Sequence, residues 1–355
     1  MHQPKWPKQW QIDMNTLATT PRERSTGSWL IALAQSRESS LALVLILVIL
    51  ATALANPRFV SPQNIRDMAL NVSIIALLTT GLTTVMLMRH IDLSISSVVG
   101  LSAFLVGDLY THFPDTSMPV AIGLGLAIGC LAGAVNGCLV TWGQVPSLVA
   151  TLSTLYVFRG IDYAWVQGRQ INATALPADM TALGSGDYLG APIMTWIAVA
   201  LLLVMAFYLK NFKSGREFYA IGSNPEGARL AGISVKRREF IGFLICGTTA
   251  GFAGVLWLAR FGTVNASSAN GIELQVVAAA VVGSVSIAGG SGTVLGATLG
   301  ALLLSVIASA LVILRVSSFW QLAIQGALIL GAIALDALLS RTLLARTSKK
   351  RARHA

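Results

Sequence analysis

Long apolar runs without an acidic or basic side chain constrain this chain more than any other feature. No such residue interrupts Met118–Trp142 or Thr293–Leu314, and about 20 mostly apolar residues in a helix suffice to cross a bilayer. Similar runs occupy Leu41–Ala55, Met68–Met88, Ile193–Leu209, Phe240–Ala259 and Phe319–Leu339. Three weaker ones are Val98–Tyr110, Ser147–Val166 with Arg159 and Asp162 inside it, and Leu274–Ala288, which ends in Gly289-Gly290. The pattern predicts an all-α, polytopic transmembrane helix bundle of about ten spans. Composition agrees: 54% of the 355 residues are hydrophobic and 11% charged, with a mean hydropathy of +0.70. A water-soluble domain carries about 25% charged residues, so this chain has too little polar surface to cover a core.

The runs divide the chain into a polar arm over 1–40, a membrane domain over 41–339 and a basic tail over 340–355. The arm lacks the apolar stretch of a cleavable signal peptide, and Ser28–Ala34 suggests a short interfacial helix. The net charge of +10 is unevenly placed: all of the 25 basic residues but Arg58, Arg66, Arg159, Arg169, Arg260 and Arg315 fall in the arm, the loop 210–238, the tail or at Arg89. An even number of spans puts these segments on one side, which the positive-inside rule makes cytoplasmic. The charge is then an orientation signal in a lipid bilayer, with no nucleic acid expected as a partner.

Gly125, Gly129, Gly133 and Gly137 fall at every fourth position, as do Gly247 and Gly251, and Gly292, Gly296 and Gly300. Such ridges let helices approach closely in a membrane. Arg159 and Asp162 share a helix face and can neutralise each other, and Asp108 and Asp336 lie near span ends. An ionisable residue in a membrane is a functional candidate by default, but the pairing and the positions near water favour a structural role for each of these. The chain lacks the Gly-Lys-Ser/Thr of a phosphate-binding loop, the HExxH of a metalloprotease and the GxSxG of a serine hydrolase. Cys130, Cys138 and Cys246 all sit within spans without CxxC spacing, so they read as small apolar residues. No catalytic residue, metal site or cofactor is expected in this chain.

The most informative loop runs Gly215-Arg216-Glu217-Phe218-Tyr219-Ala220-Ile221-Gly222-Ser223-Asn224-Pro225-Glu226-Gly227-Ala228-Arg229-Leu230-Ala231-Gly232-Ile233. Asn224 suits a helix N-cap, Pro225 its first position, Glu226 its positive dipole end and Gly232 a left-handed stop. A capped helix of about seven residues results, with Ala228, Leu230, Ala231 and Ile233 as apolar contact surface. It is a knob for another protein's groove, or a helix lying on the membrane surface.

This loop resembles the coupling segment in the permeases of ATP-binding-cassette importers for monosaccharides: ribose, xylose, rhamnose and autoinducer 2. Further stretches carry the resemblance: Arg89-His90-Ile91-Asp92-Leu93-Ser94-Ile95-Ser96-Ser97, Gly133-Ala134-Val135-Asn136-Gly137, Ala150-Thr151-Leu152-Ser153-Thr154-Leu155 with Arg159-Gly160-Ile161, and Glu273-Leu274 through Gly289-Gly290-Ser291-Gly292. Val312-Ile313-Leu314-Arg315-Val316 before Phe319-Trp320 is closest to the autoinducer-2 or rhamnose branch. The family commonly has Gly where His90 and Ser96 stand, and a Gly-Gly pair at Gly283-Ser284.

The resemblance implies a cobalamin-importer-like (type II) permease of the bacterial inner membrane with both termini cytoplasmic. It implies import of a monosaccharide driven by ATP bound to separate ATPase subunits, with a periplasmic sugar-binding protein and a second permease copy, identical or sister. Asn224, Pro225, Glu226, Ala228, Arg229, Leu230 and Gly232 would then meet the ATPase. Asp92, Ser94, Asn136, Thr151, Ser153 and Thr154 are polar groups over which a hydroxylated solute could slide. Their hydroxyls equally suit the carbonyls of the preceding turn, and Asp92 suits a cap. A self-sufficient secondary carrier or channel is the alternative reading.

Overall fold

The structure is a computed structural model that describes residues 37–317 and most of 319–331. The interfacial helix expected at Ser28–Ala34, the end of the Phe319–Leu339 span, Asp336 and the tail lie outside the described residues. Eight longer helices are described: α1 (Arg37–Ala55), α2 (Pro62–Met86), α3 (Ile95–His112), α4 (Met118–Thr141), α5 (Ser147–Val166), α7 (Ile193–Asn211), α10 (Val235–Phe261) and α12 (Val294–Ile313). Between them lie four short ones, α6 (Ala178–Ser185), α8 (Lys213–Ser223), α9 (Pro225–Leu230) and α11 (Ile272–Val282). Two two-residue strands, β1 (Asp187–Tyr188) and β2 (Ala191–Pro192), pair antiparallel. That hairpin is a small departure from the all-α expectation.

Five of the described helices, α2, α4, α7, α10 and α12, are long and apolar enough to cross a membrane. Their burial separates two kinds. In the most apolar window of α2 and α10, 72% and 67% is covered by the rest of the chain, against 28% for α4 and α7. Inner helices therefore form the bundle axis, and α4 and α7 leave a broad apolar face outward, as lipid contact requires. Hydroxyls in α2 cost little at this depth. Thr79, Thr80 and Thr83 each donate to the carbonyl four residues back, and Thr84 donates to Gly81 O and also to Gly242 O on α10.

The glycine ridges pack as backbone-to-backbone seams. A Cβ on Gly129 would stand 2.2 Å from Gly247 O, and one on Gly251 2.1 Å from Gly125 O, so α4 and α10 touch along their main chains. On α12, Gly300 meets Ala279 O and Gly296 meets Gly283 O. Gly292 is corrected: it precedes the helix with φ 135°, and α12 starts only at Val294, after the N-cap Thr293, whose Oγ1 accepts from Gly296 N at 2.9 Å. The weak Leu274–Ala288 run is corrected too. Its helix stops at Val282, in a turn where Ser284 N donates to Val281 O and Val285 N to Ala280 O. This Schellman stop puts Ser284 at φ 70°, in the left-handed region that the family's glycine would enter freely.

The intramembrane charges are paired. Arg159 stands 3.6 Å from Asp162 and also donates to Ala266 O and Ser268 O, pinning the loop after α10. Asp108 accepts from Arg169 Nη1 at 2.8 Å and from Trp165 Nε1 at 3.1 Å. Within the described residues both are structural clasps.

Candidate functional site

Two polar assemblies meet near the end of the bundle that carries residues 210–238. The first is the loop segment. α8 is amphipathic, a helix the sequence reading left out, and it buries Phe218 and Ile221 with Leu87, Leu209, Val235 and Val294. Glu217 on its inner face accepts from Arg238 Nε, and burial pushes the Tyr219 phenol above its usual value. The chain then breaks at Asn224, whose Oδ1 accepts from Gly227 N at 3.0 Å, with Pro225 in the first turn. α9 ends as expected: Gly232 at φ 79° donates to Arg229 O, and Ile233 N donates to Ala228 O.

The apolar surface expected of α9 is corrected. Ala228 is buried and Ile233 packs inward, because both close the helix onto α8 and α10. Leu230, 91% exposed, stands bare beside exposed Glu226 and Arg229. A leucine this uncovered, with a charge of each sign next to it, presents a small mixed contact patch.

This segment is locked to the bundle through main-chain contacts. Arg89, at φ 71° in the stop of α2, donates from Nε to Gly222 O at 2.6 Å and from Nη2 to Ser223 O at 2.9 Å. Gly290 N donates to Leu87 O at 2.9 Å. A Cβ on Gly222 would lie 1.8 Å from Leu87 O and 2.4 Å from Gly290 N. Three chain segments thus cross with no room for a side chain, which ties the end of α8, just before α9, to the α2 corner. His90 adds a contact to Glu239 at 3.3 Å and lies against Phe243 with the rings tilted at 45°.

The second assembly follows that corner. Asp92 Oδ1 accepts from Ser94 N and Oγ, at 2.9 and 2.6 Å. Asn136 on α4 donates to both Asp92 oxygens and to Ser94 Oγ, and its Oδ1 accepts from Thr154 on α5 at 2.6 Å. Thr151 Oγ1 accepts from Leu93 N and lies 3.1 Å from Ile91 O and 2.8 Å from Ser147 O. Asp92, Ser94, Asn136, Thr151 and Thr154 are all buried and joined into one cluster bridging the α2–α3 link, α4 and α5. Ser153 is not brought in: it is exposed and donates to Val149 O of its own helix. No group of three or more His, Cys, Asp or Glu side chains suited to a metal is present among the described residues.

Comparison with known proteins places this architecture. The chain is similar to the autoinducer 2 import system permease protein LsrC of Salmonella typhi, 36% identical over 296 residues, covering 83% of this chain and 84% of that protein. LsrC of Escherichia coli (strain K12 / DH10B) is 36% identical over 295 residues, covering 83% and 85%. The likeness to LsrC of Shigella flexneri is of the same extent. No solved structure matches the chain. Residues 64–333, the greater part of the chain, match the family described as the permease component of branched-chain amino acid transport systems. With its apolar bundle and that match, the chain belongs to this family of membrane transport permeases.

Proposed function

We propose that this protein is the inner-membrane permease subunit of an ATP-driven importer for a monosaccharide or for autoinducer 2, with α9 as the segment that receives the ATPase. The observation that carries the reading is the Gly222 crossing: a capped, outward-facing helix whose base is wedged between the α2 corner and the 283–292 loop. A push on Leu230, Glu226 or Arg229 passes into α2, α3 and α12 without a flexible link to absorb it. The names of the relatives support the solute class, and the basic loop 210–238 supports a cytoplasmic placement. In this reading a periplasmic binding protein delivers the solute and a second permease copy completes the path. The Asp92 cluster, with every member bonded to another, fixes the corner through which motion of α9 reaches α4 and α5.

Replacing Glu226 and Arg229 together by Ala tests the coupling role. The expected result is membrane insertion at the normal level with uptake of autoinducer 2 and ATP hydrolysis no longer linked. Full uptake in that double variant would sink the proposal. Uptake by purified protein in liposomes without an ATPase would instead establish a self-sufficient carrier.

A further inference from the structure

The side chains around Asp92 are buried and hydrogen-bonded to one another, so they do not present themselves to a solute. A cavity of about 360 Å³ lies at the opposite end of the bundle, between the first turns of α2, the last turn of α10, the first turn of α11 and the second half of α12. We propose that this cavity is a binding site for a neutral, polyhydroxylated solute on its way through the protein. The inference rests on the import reading above and names where, and by which groups, the solute is held.

Size is the first argument: small-molecule sites run from roughly 300 to 1,000 Å³, and this one sits at the sugar-sized end. Chemistry is the second. Asp67, Asn71, Arg260, Gln275 and Ser305 all line it; Asp67 and Asn71 are exposed, and Arg260, Gln275 and Ser305 are half-buried, where a polar group is costly unless it is bonded. Packing within the chain supplies few of those bonds. Gln275 and Ser305 have no hydrogen-bond partner among the described residues. Arg260 uses Nη1 on Asn71 Oδ1 at 2.7 Å, and no other of its five N–H groups makes a hydrogen bond there. Among the described residues Asp67 accepts only from Gln63 Nε2, at 3.2 and 3.1 Å.

What remains is an offer of both donors and acceptors with one charge of each sign. A hydroxyl both donates and accepts, so a solute bearing several of them uses such a set fully. A bare ion satisfies only half of it. The wall supplies the apolar part: Trp257 lines the cavity and packs on Phe261, with ring centroids 4.6 Å apart, and Arg260 lies over that same Phe261 ring. A ring of this kind covers the C–H face of a sugar while the rim takes its hydroxyls. The guanidinium is held on one side by Asn71 and on the other by Phe261, so it is oriented before a solute arrives.

The test uses cells that carry the intact importer and the probes D-ribose, L-rhamnose, autoinducer 2 and L-leucine, each radiolabelled. The variants are Gln275→Leu, Ser305→Ala and their combination, chosen because neither side chain supports another. With the double variant, uptake of the accepted polyol is expected to fall about tenfold through a higher KM, the loss of one to two hydrogen bonds. Membrane level and co-purifying ATPase should stay at the wild-type value, and Gln275→Asn should recover most of the uptake. Wild-type uptake of a polyol with an unchanged KM in the double variant would overturn the site while leaving the import reading intact. Wild-type cells that take up L-leucine and none of the three polyols would overturn the solute class. Cells that take up none of the four would overturn the import reading and this proposal with it.

Discussion

The two ends of the α2–α10 pair are built on opposite rules. At the Gly222 end, three segments touch through main-chain atoms, the polar groups bond one another and no side chain fits between them. At the Asn71–Gln275 end, polar side chains face a cavity and some of them have no side-chain partner among the described residues. A junction made of main chain resists bending, since interiors at close-packed density transmit displacement. A cleft with unspent hydrogen bonds is stabilised by whatever enters it. The same two helices therefore carry a stiff end suited to receive force and a receptive end suited to receive a solute.

The largest effect is expected from breaking the stiff end. Gly222→Val places branched carbon where Leu87 O and Gly290 N stand within 1.8 and 2.4 Å of a Cβ. Neither is a flexible side-chain tip, so the segment must move, at a cost of about 3 kcal/mol. The thermal unfolding midpoint in detergent should fall by several degrees and uptake should be lost. A variant with wild-type midpoint and uptake would remove the rigid junction from the comparison.

Asn136→Leu is the intermediate case. The change keeps the branched shape but withdraws the donor from Asp92 and Ser94 and the acceptor from Thr154, all buried. Stranding these groups should cost about 2 kcal/mol. If the cluster belongs to the stiff end, the maximal uptake rate falls while the KM for the solute stays constant. A raised KM with a constant maximal rate would place Asn136 on the solute's route, as the sequence alone suggested, and would blur the distinction between the two ends.

How much of this was legible in the sequence follows from what each feature depends on. Local chemistry was readable: the Asn224 cap, the Gly232 stop, the Arg159–Asp162 pairing and the glycine ridges of α4 and α10 all follow from spacing along one helix or turn, while the pairing of those two ridges came only with the packing. The inward turn of Ala228 was not, because it depends on where α8 lies, and α8 was hidden in a stretch whose charges mask its amphipathic face. The cleft was missed for a similar reason. Asn64, Asp67 and Asn71 fall at helical spacing on one face of a span, a signal present in the sequence, but its meaning depends on Arg260 and Gln275, far along the chain. Polar residues bonded across distant helices cannot be told from those bonded to their own turn until the packing is known, and Ser153 and Thr154, adjacent in sequence, fall on opposite sides of that distinction.

The smallest effect sharpens the comparison in the other direction, by relaxing the stiff end instead of breaking it. Ser284 occupies the left-handed position of the α11 stop at φ 70°, in the loop that continues to Gly290 and its bond to Leu87 O. A side chain in that conformation costs roughly 1–2 kcal/mol, which glycine avoids. Glycine returns part of the gain as extra freedom in the unfolded chain, close to 1 kcal/mol. Ser284→Gly should therefore raise the unfolding midpoint slightly, by a net few tenths to about 1 kcal/mol. The KM for the solute should not change, because the cleft is at the other end of α11. A shift in KM from this substitution would mean that strain at the stop reaches Gln275 through the eleven residues of α11, and that the two ends are one coupled device instead of two.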